Sequence, residues 1–104
     1  MHKLCFYVPE SHVEIVKNAV FEQGAGKIGH YDYCCWQTLG TGQYRPLEQS
    51  NAFKGTVNTV SREPEYLVEM VCEDTVIDKV IDTLLKVHPY ETPAFQAWSV
   101  RGNK

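Results

Sequence analysis

The stretch GAGKIGHYDYCCWQTLGTGQYRPLE, residues 24–48, decides how the rest of the chain is interpreted. It opens with a turn that follows a helix, because glycine accepts positive φ angles at little cost and closely spaced glycines end helices. Tyrosine, cysteine, tryptophan and threonine then favour a pleated strand over residues 30–36, prolonged to residue 40. Gly40 and Gly42 predict a bend or bulge at the end of that strand.

The same glycines resemble a loop that cradles phosphate groups. Phosphate loops follow a strand and open a helix, and a Ser or Thr follows their lysine. Here a helix comes first and a strand second, and Ile28 follows Lys27. The order of elements argues against a nucleotide-binding loop at this position.

Outward from this stretch, hydrophobic periodicity predicts a β–α–β unit, an arm, and a second β–α–β unit. Strands are predicted at residues 3–8, 30–40, 65–72 and 94–100. Capping boxes at Ser11–Glu14 and Thr75–Asp78 predict the two helix starts, and Gly24 and Pro89 the two ends. The arm, residues 41–60, is predicted to be a projecting hairpin whose two sides are TGQYRPL and GTVNTVS.

This order of elements predicts an α+β fold of the ferredoxin-like, split β-α-β type (βαββαβ) with an inserted β-hairpin arm. Its 104 residues predict one domain, residues 1–104. Two helices cover only one face of a four-stranded sheet, yet every predicted strand carries apolar or aromatic side chains on both faces. We therefore expect copies of the chain to associate through the second face.

Bulk properties exclude several classes of function. A net charge of −3 provides no basic surface for a nucleic acid, so no nucleic-acid partner is expected. No apolar run reaches the length of about 18 residues that a membrane span needs, and the first residues do not resemble a signal peptide, so we expect a cytoplasmic protein without membrane contact. The four cysteines all lie within apolar, strand-like runs and show no CxxC spacing. They are therefore predicted to be buried, reduced thiols.

Several motifs together carry a resemblance to a known family. GAGKIGHYDYCCWQTLGTGQYRPLE, the following NAFKG and the late HPYETPAF look like the middle domain of the Nif-three-like, or YqfO, family of dinuclear-metal proteins. The resemblance implies a fold similar to the PII signalling proteins and to CutA, the trimeric proteins linked to divalent-cation tolerance. It therefore favours a trimer for the expected homo-oligomer.

The resemblance also limits what can be said about catalysis. In the larger family the paired metals are held by two flanking halves, and this chain contains neither half. No catalytic residue is carried over, and we do not expect the chain to be an enzyme on its own. Function depends on a site, and the fold alone does not supply one.

His88 and Glu91 are the candidate metal ligands. An imidazole and a carboxylate three residues apart at a turn can converge on a divalent cation, which is the cofactor class this pair would take. The competing interpretation is a helix stop, in which the polar groups of residues 88–91 bond the last carbonyls of the helix. Both interpretations stay open at the level of sequence.

Other polar residues are weaker candidates. His30 follows the glycine turn and could join a metal site, and a Cys–His nucleophile pair has no spacing that singles it out. Tyr44 and Arg45 in the arm, with Tyr90 and Trp98, are typical of contact surfaces. By analogy with PII, Arg45 and Lys54 would flank a loop that reaches partners or small anions.

These observations favour a small oligomeric binding or sensing module whose ligand lies in a cleft between subunits that is lined by the arm and residues 88–91. One alternative is a regulatory or accessory subunit of a metal-dependent, hydrolase-like protein partner. Another is a purely structural interaction domain.

Overall fold

A computed structural model describes residues 1–103. The elements in chain order are β1 (His2–Pro9), α1 (Val13–Glu22), β2 (Trp36–Tyr44), β3 (Ser61–Cys72), α2 (Ile77–Val87) and β4 (Phe95–Ser99). The four strands form one antiparallel sheet in the order β2-β3-β1-β4. This is the strand order of the split β-α-β arrangement, and it confirms the predicted fold class.

The core lies between the two helices and one face of the sheet. Alternate residues of β1 and β3 face the helices, and the register places Leu4 opposite Met70 and Phe6 opposite Val68. The helices contribute side chains at helical spacing: Val13, Val16, Val20 and Phe21 from α1, and Ile77, Val80 and Leu84 from α2. Ile15 and Leu85, which belong to the same apolar runs, lie outside the buried stripe and are exposed.

The predicted capping boxes are wrong at both helices. A short 3-10 turn at Glu10–His12 precedes α1, where the Ser11 hydroxyl bonds the His12 ring at 2.8 Å, so it is not available to cap the helix. α2 begins at Ile77 after Val76, and no side chain caps it. Both helix ends follow the prediction: Gly24 has a φ of +108° and donates its N–H to Phe21 O, and α2 stops one residue before His88.

The second strand begins at Trp36, six residues later than predicted. Within the predicted strand the backbone takes a positive φ of 56° at Tyr33, which is incompatible with a continuous strand. Gly26 instead bonds two neighbouring segments, donating to Val71 O at 2.8 Å and accepting from the Cys34 N–H at 2.8 Å. The strand-like side chains of residues 30–35 therefore lie in a compact loop.

The arm is built differently from the predicted hairpin. β2 and β3 pair without interruption as far as Tyr44 and Ser61, and Gly40 and Gly42 lie inside this ladder. The predicted bend at these glycines is therefore wrong. Residues 45–60 contain no strand. The first side of the predicted hairpin pairs with β3, which starts at Ser61.

The sheet face away from the helices is the open face. The residues of this face are cross-strand neighbours of one another: Lys3, Cys5, Tyr7, Trp36, Thr38, Leu67, Glu69, Val71, Gln96 and Trp98. Trp36 is 70% exposed and Trp98 is 48% exposed. An ion pair of 3.7 Å between Lys3 and Glu69 crosses the same face, so the surface is aromatic and polar rather than uniformly apolar.

The cysteines divide between core and surface. Cys5 and Cys72 are buried, but Cys34 is half-buried and Cys35 is exposed, so the prediction of four buried thiols is wrong for the loop pair. All four are free. Burial raises the pKa of Cys72 to about 11, an effect that the nearby Glu73 and Asp74 increase. Within residues 1–103, no helix is long and apolar enough to cross a membrane.

Candidate functional site

A cleft of about 260 Å³ opens where the arm meets the segment that joins α2 to β4. The arm supplies Tyr44, Arg45 and Phe53, and the joining segment supplies Tyr90 and Glu91. The floor comes from the sheet, through Tyr7 and Glu65. The arm, Tyr90 and Glu91 thus line one cavity within a single chain, and His88 is not part of its lining. A cleft between subunits stays a prediction.

Glu65 is the buried acid of this cleft. It lies on the open-face side of β3 opposite Gly40 of β2, and only 9% of its surface is exposed. A Cβ atom at Gly42 would overlap the Glu65 carboxylate, so the absence of a side chain there makes room for the acid. Glu65 also lines a second cavity, of about 310 Å³, together with Thr38, Gly40 and Leu67 among others.

Tyr90 holds the Glu65 carboxylate in place. The Tyr90 hydroxyl donates a 2.6 Å hydrogen bond to Glu65 Oε2. Burial and the neighbouring Glu65 carboxylate raise the pKa of Tyr90 well above its usual value, so the hydroxyl stays protonated and remains a donor. Tyr90 is therefore a fixed, neutral group in this position.

His88 acts as a buried connector between three parts of the chain. It is 6% exposed and follows directly after α2, in an extended conformation that the next residue, Pro89, favours. Its Nε2 lies 2.6 Å from the carbonyl oxygen of Tyr7, and its Nδ1 accepts the Tyr90 N–H at 3.1 Å. Nε2 must therefore carry the proton, and both ring nitrogens are engaged. Burial lowers the pKa of His88, which favours this neutral form.

Glu91 connects the joining segment to the arm. Its Oε1 accepts the backbone N–H of Asn51 at 2.8 Å, and the rest of the side chain is exposed at the rim of the cleft. Near the tip of the arm, the Tyr44 hydroxyl donates to Lys54 O at 2.8 Å and Lys54 pairs with Glu63 at 3.4 Å. These bonds hold the arm loop against the body of the domain.

Aromatic rings form the walls of the cleft. The Tyr90 ring lies 6.0 Å from that of Tyr44 and 6.1 Å from that of Phe53, centroid to centroid. Phe53 also packs edge-on against His12, at 5.4 Å, on the 3-10 turn before α1. The aromatic wall therefore connects the arm, the joining segment and the turn before α1.

The structure brings the two predicted metal ligands to the same region but gives them different neighbours. His88 bonds Tyr7 and Tyr90, whereas Glu91 bonds the arm. Among residues 1–103, no group of three or more His, Cys, Asp or Glu side chains is arranged to hold a metal ion. His30 is exposed in the glycine loop and does not line the cleft. Metal binding by His88 and Glu91 stays a prediction.

Sequence reasoning missed Glu65, the most buried acidic side chain of the site. Two signals were present: an acid in an otherwise alternating strand, and Gly40 and Gly42 two residues apart on one face of the neighbouring strand. Glycines at alternate positions remove side chains from one face only, which is where Glu65 lies. Tyr90 and Arg45 were recognised as contact residues, and both line the cleft.

The fold is of the CutA-like type among ferredoxin-like folds. The PII-like protein CutA from Nostoc superposes with a TM-score of 0.67 over 96% of this chain and 81% of its own length, at 20% identity. The CutA protein of Archaeoglobus fulgidus gives a TM-score of 0.70 at 17% identity, covering 100% of this chain and 89% of its own. At these identities the likeness concerns the fold alone.

Within this fold type the chain is similar to one part of larger, Nif-three-like proteins. A Bacillus cereus protein related to NIF3 superposes with a TM-score of 0.82 at 30% identity, over 97% of this chain and 26% of its own. The GTP cyclohydrolase 1 type 2 homolog of Mycobacterium leprae is 38% identical over 100 residues, which are 96% of this chain and 26% of that protein. No family model matches the chain.

The resemblance found in the glycine stretch and in HPYETPAF is therefore confirmed. The chain spans about a quarter of the length of the relatives it matches. It follows that the activity of those whole proteins does not transfer to this chain by similarity.

Proposed function

We propose that the chain is a small oligomeric binding module whose ligand occupies the cleft between the arm and residues 88–91. One observation carries the proposal: the cleft of about 260 Å³ is built jointly by the arm, the joining segment and a buried acid. A concave, mostly apolar cavity with a few fixed polar groups is the usual form of a small-ligand site. The CutA-like fold is consistent with such a role.

Self-association is the second part of the proposal. The open face exposes Trp36, Trp98 and Tyr7 beyond what single scattered residues would account for. Copies of the chain that pair through this face would bury these rings, and the trimer implied by the resemblance to CutA is the favoured assembly. Light scattering over a wide concentration range tests this, and a species that stays monomeric throughout contradicts it.

The proposed ligand class is a divalent cation, with His88 and Glu91 as its ligands. Two of the CutA neighbours are described as divalent cation or divalent ion tolerance proteins, which supports the proposal by fold. A cation at His88 requires the ring to release either Tyr7 O or the Tyr90 N–H, because both nitrogens are engaged. Metal binding and the local structure of this segment are therefore coupled.

Thermal unfolding with and without Cu²⁺ or Zn²⁺ tests the metal proposal. A ligand that binds only the folded state raises the melting temperature by mass action. At a free ligand concentration of about a hundred times Kd, the free energy of unfolding increases by about 2.7 kcal/mol. We expect the rise to disappear in Glu91→Gln and His88→Gln, and to persist in His30→Ala, whose histidine is exposed outside the cleft. If the metal raises the melting temperature of Glu91→Gln and His88→Gln as much as that of the parent, these two residues are not metal ligands.

A second candidate function follows from the similarity to larger proteins. The chain is 35–39% identical, over nearly all its length, to a quarter of proteins named GTP cyclohydrolase 1 type 2 homolog. It would then act as a regulatory or accessory unit of a metal-dependent, hydrolase-like partner. Pull-down from the native cell tests this candidate: it requires a stable complex with a second protein, and turnover that the chain alone does not show.

A further inference from the structure

The cleft described above has a charge and ring pattern that suits a particular ligand. We propose that it binds a small organic cation, an ammonium or methylated ammonium group, with Glu65 as the counter-charge and the rings of Tyr44, Phe53 and Tyr90 as a cage. This inference rests on the proposed binding function and names a different ligand class from the divalent ion.

The first observation is the incomplete pairing of Glu65. Tyr90 donates to Oε2, but within residues 1–103 no lysine, arginine, histidine or N-terminal nitrogen forms an ion pair with this carboxylate, and Oε1 has no protein donor. The side chain is nevertheless 9% exposed and lines the cleft. Among the described residues no buried side-chain oxygen lacks a hydrogen-bond partner, so Oε1 is accessible from the cleft. A cation in the cleft would pair there with a carboxylate that has no counter-charge within residues 1–103.

The second observation is the arrangement of the rings. The rings of Tyr44 and Phe53 are both tilted against that of Tyr90, at centroid distances of 6.0 and 6.1 Å, and all three rings line the same cavity. A cation is attracted to aromatic faces within about 6 Å of the ring centroid, and rings clustered around one space are the form in which proteins recognise ammonium groups.

The third observation is the sign of the lining charge. Two carboxylates, Glu65 and Glu91, line the cleft against one guanidinium, that of Arg45, which is exposed at the rim. The inner end of the cavity is thus negative and aromatic, and the cation sits at that end. Arg45 is placed to meet whatever anionic group the ligand carries at its outer end.

Calorimetric titration with choline tests the inference against its neutral carbon analogue, 3,3-dimethylbutan-1-ol, at constant chloride concentration. The two probes have the same shape and differ in charge. We expect binding of choline and no comparable binding of the alcohol. Glu65→Gln, which keeps an oxygen acceptor for Tyr90, should weaken choline binding about tenfold or more.

Two further variants separate charge from folding. Phe53→Leu removes one exposed ring and keeps an apolar side chain, and it should also weaken choline binding several-fold. Glu22→Gln, on the exposed end of α1, should leave it unchanged. Circular dichroism melting of each variant shows that the compared proteins are folded.

Equal binding of choline and the alcohol, no binding of choline, or choline binding that is unchanged in Glu65→Gln overturns the inference. The proposed binding function is tested separately, by the metal experiment. If choline does not bind but Cu²⁺ or Zn²⁺ raises the melting temperature through Glu91, the cleft is a ligand site for a different class of cation and only the organic cation is excluded.

Discussion

On the helix-covered face of the sheet, Leu4, Phe6 and Val68 have no exposed surface, whereas on the open face Trp36 keeps 70% of its surface exposed. The same strands present aliphatic and aromatic side chains to the helices and a mixture of aromatic, polar and charged side chains to the open face, so the two faces differ both in their residues and in what lies above them. Helices α1 and α2 exclude water from one face, and on the other only the arm and residues 88–94 cover one end. The covered face supplies stability, and the partly covered face supplies the cleft.

The covered face should be the most sensitive to truncation. Phe6→Ala removes a fully buried ring at the centre of the core, and we expect a loss of about 3–5 kcal/mol in the free energy of unfolding. Chemical denaturation measures it. Tyr7→Ala, the next residue along β1 but on the open face, is the matched control and should cost much less; equal losses would contradict the asymmetry between the faces.

The cleft end of the open face should show an intermediate effect. Tyr90→Phe removes the only described donor to Glu65 and leaves the carboxylate buried without a hydrogen bond. The expected loss in the free energy of unfolding is about 1–3 kcal/mol. In the double variant Tyr90→Phe with Glu65→Leu, both polar groups are gone and much of the loss should be recovered. A double-mutant cycle that shows no coupling would mean the bond contributes nothing.

A pH titration should detect the buried His88. Burial holds the pKa of folded His88 below its ordinary value of 6.5, so the unfolded chain binds more protons in the window just below pH 6.5. The free energy of unfolding should therefore be full above about pH 7 and fall as the pH drops through 6.5. His88→Gln should flatten melting temperature against pH in this window. The same slope in variant and parent would assign the effect to other groups.

The exposed end of the open face should respond least in the isolated chain. Trp36→Ser removes a ring that contacts little of its own chain, and we expect a change within about 0.5 kcal/mol in the unfolding of dilute protein. The same substitution should shift self-association to higher concentration in sedimentation experiments. A large loss of stability in a strictly monomeric sample would instead show that Trp36 packs within one chain.

Much of the covered face could be predicted from sequence, because it depends on periodicity. Val13, Val16 and Val20 repeat at helical spacing, and alternation in β1 and β3 sorted Phe6 and Val68 to one side. The predicted start of β2 was wrong because residues 30–35 carry strand-forming side chains, whereas the backbone takes a positive φ at Tyr33 within that segment. Side-chain propensity is visible in sequence, but the backbone conformation of a tyrosine is not.

The cleft was predictable in outline only. The arm and HPYETP were expected to meet, and they do, because both lie beside the same end of β1 and β3. The bonding of His88 could not be predicted, since it depends on the carbonyl of Tyr7, which is 81 residues away. The burial of Glu65 likewise depends on glycines of another strand.

The glycines of β2 couple the residue choice in β2 to the residue choice in β3. A side chain at Gly42 would occupy the volume of the Glu65 carboxylate, so the chain cannot gain one without losing or moving the other. A relative without the acid could carry a side chain at the position of Gly42, whereas a relative that keeps the acid could not. Paired change at these two positions would thus mark, from sequence alone, which members of the lineage still have this cavity.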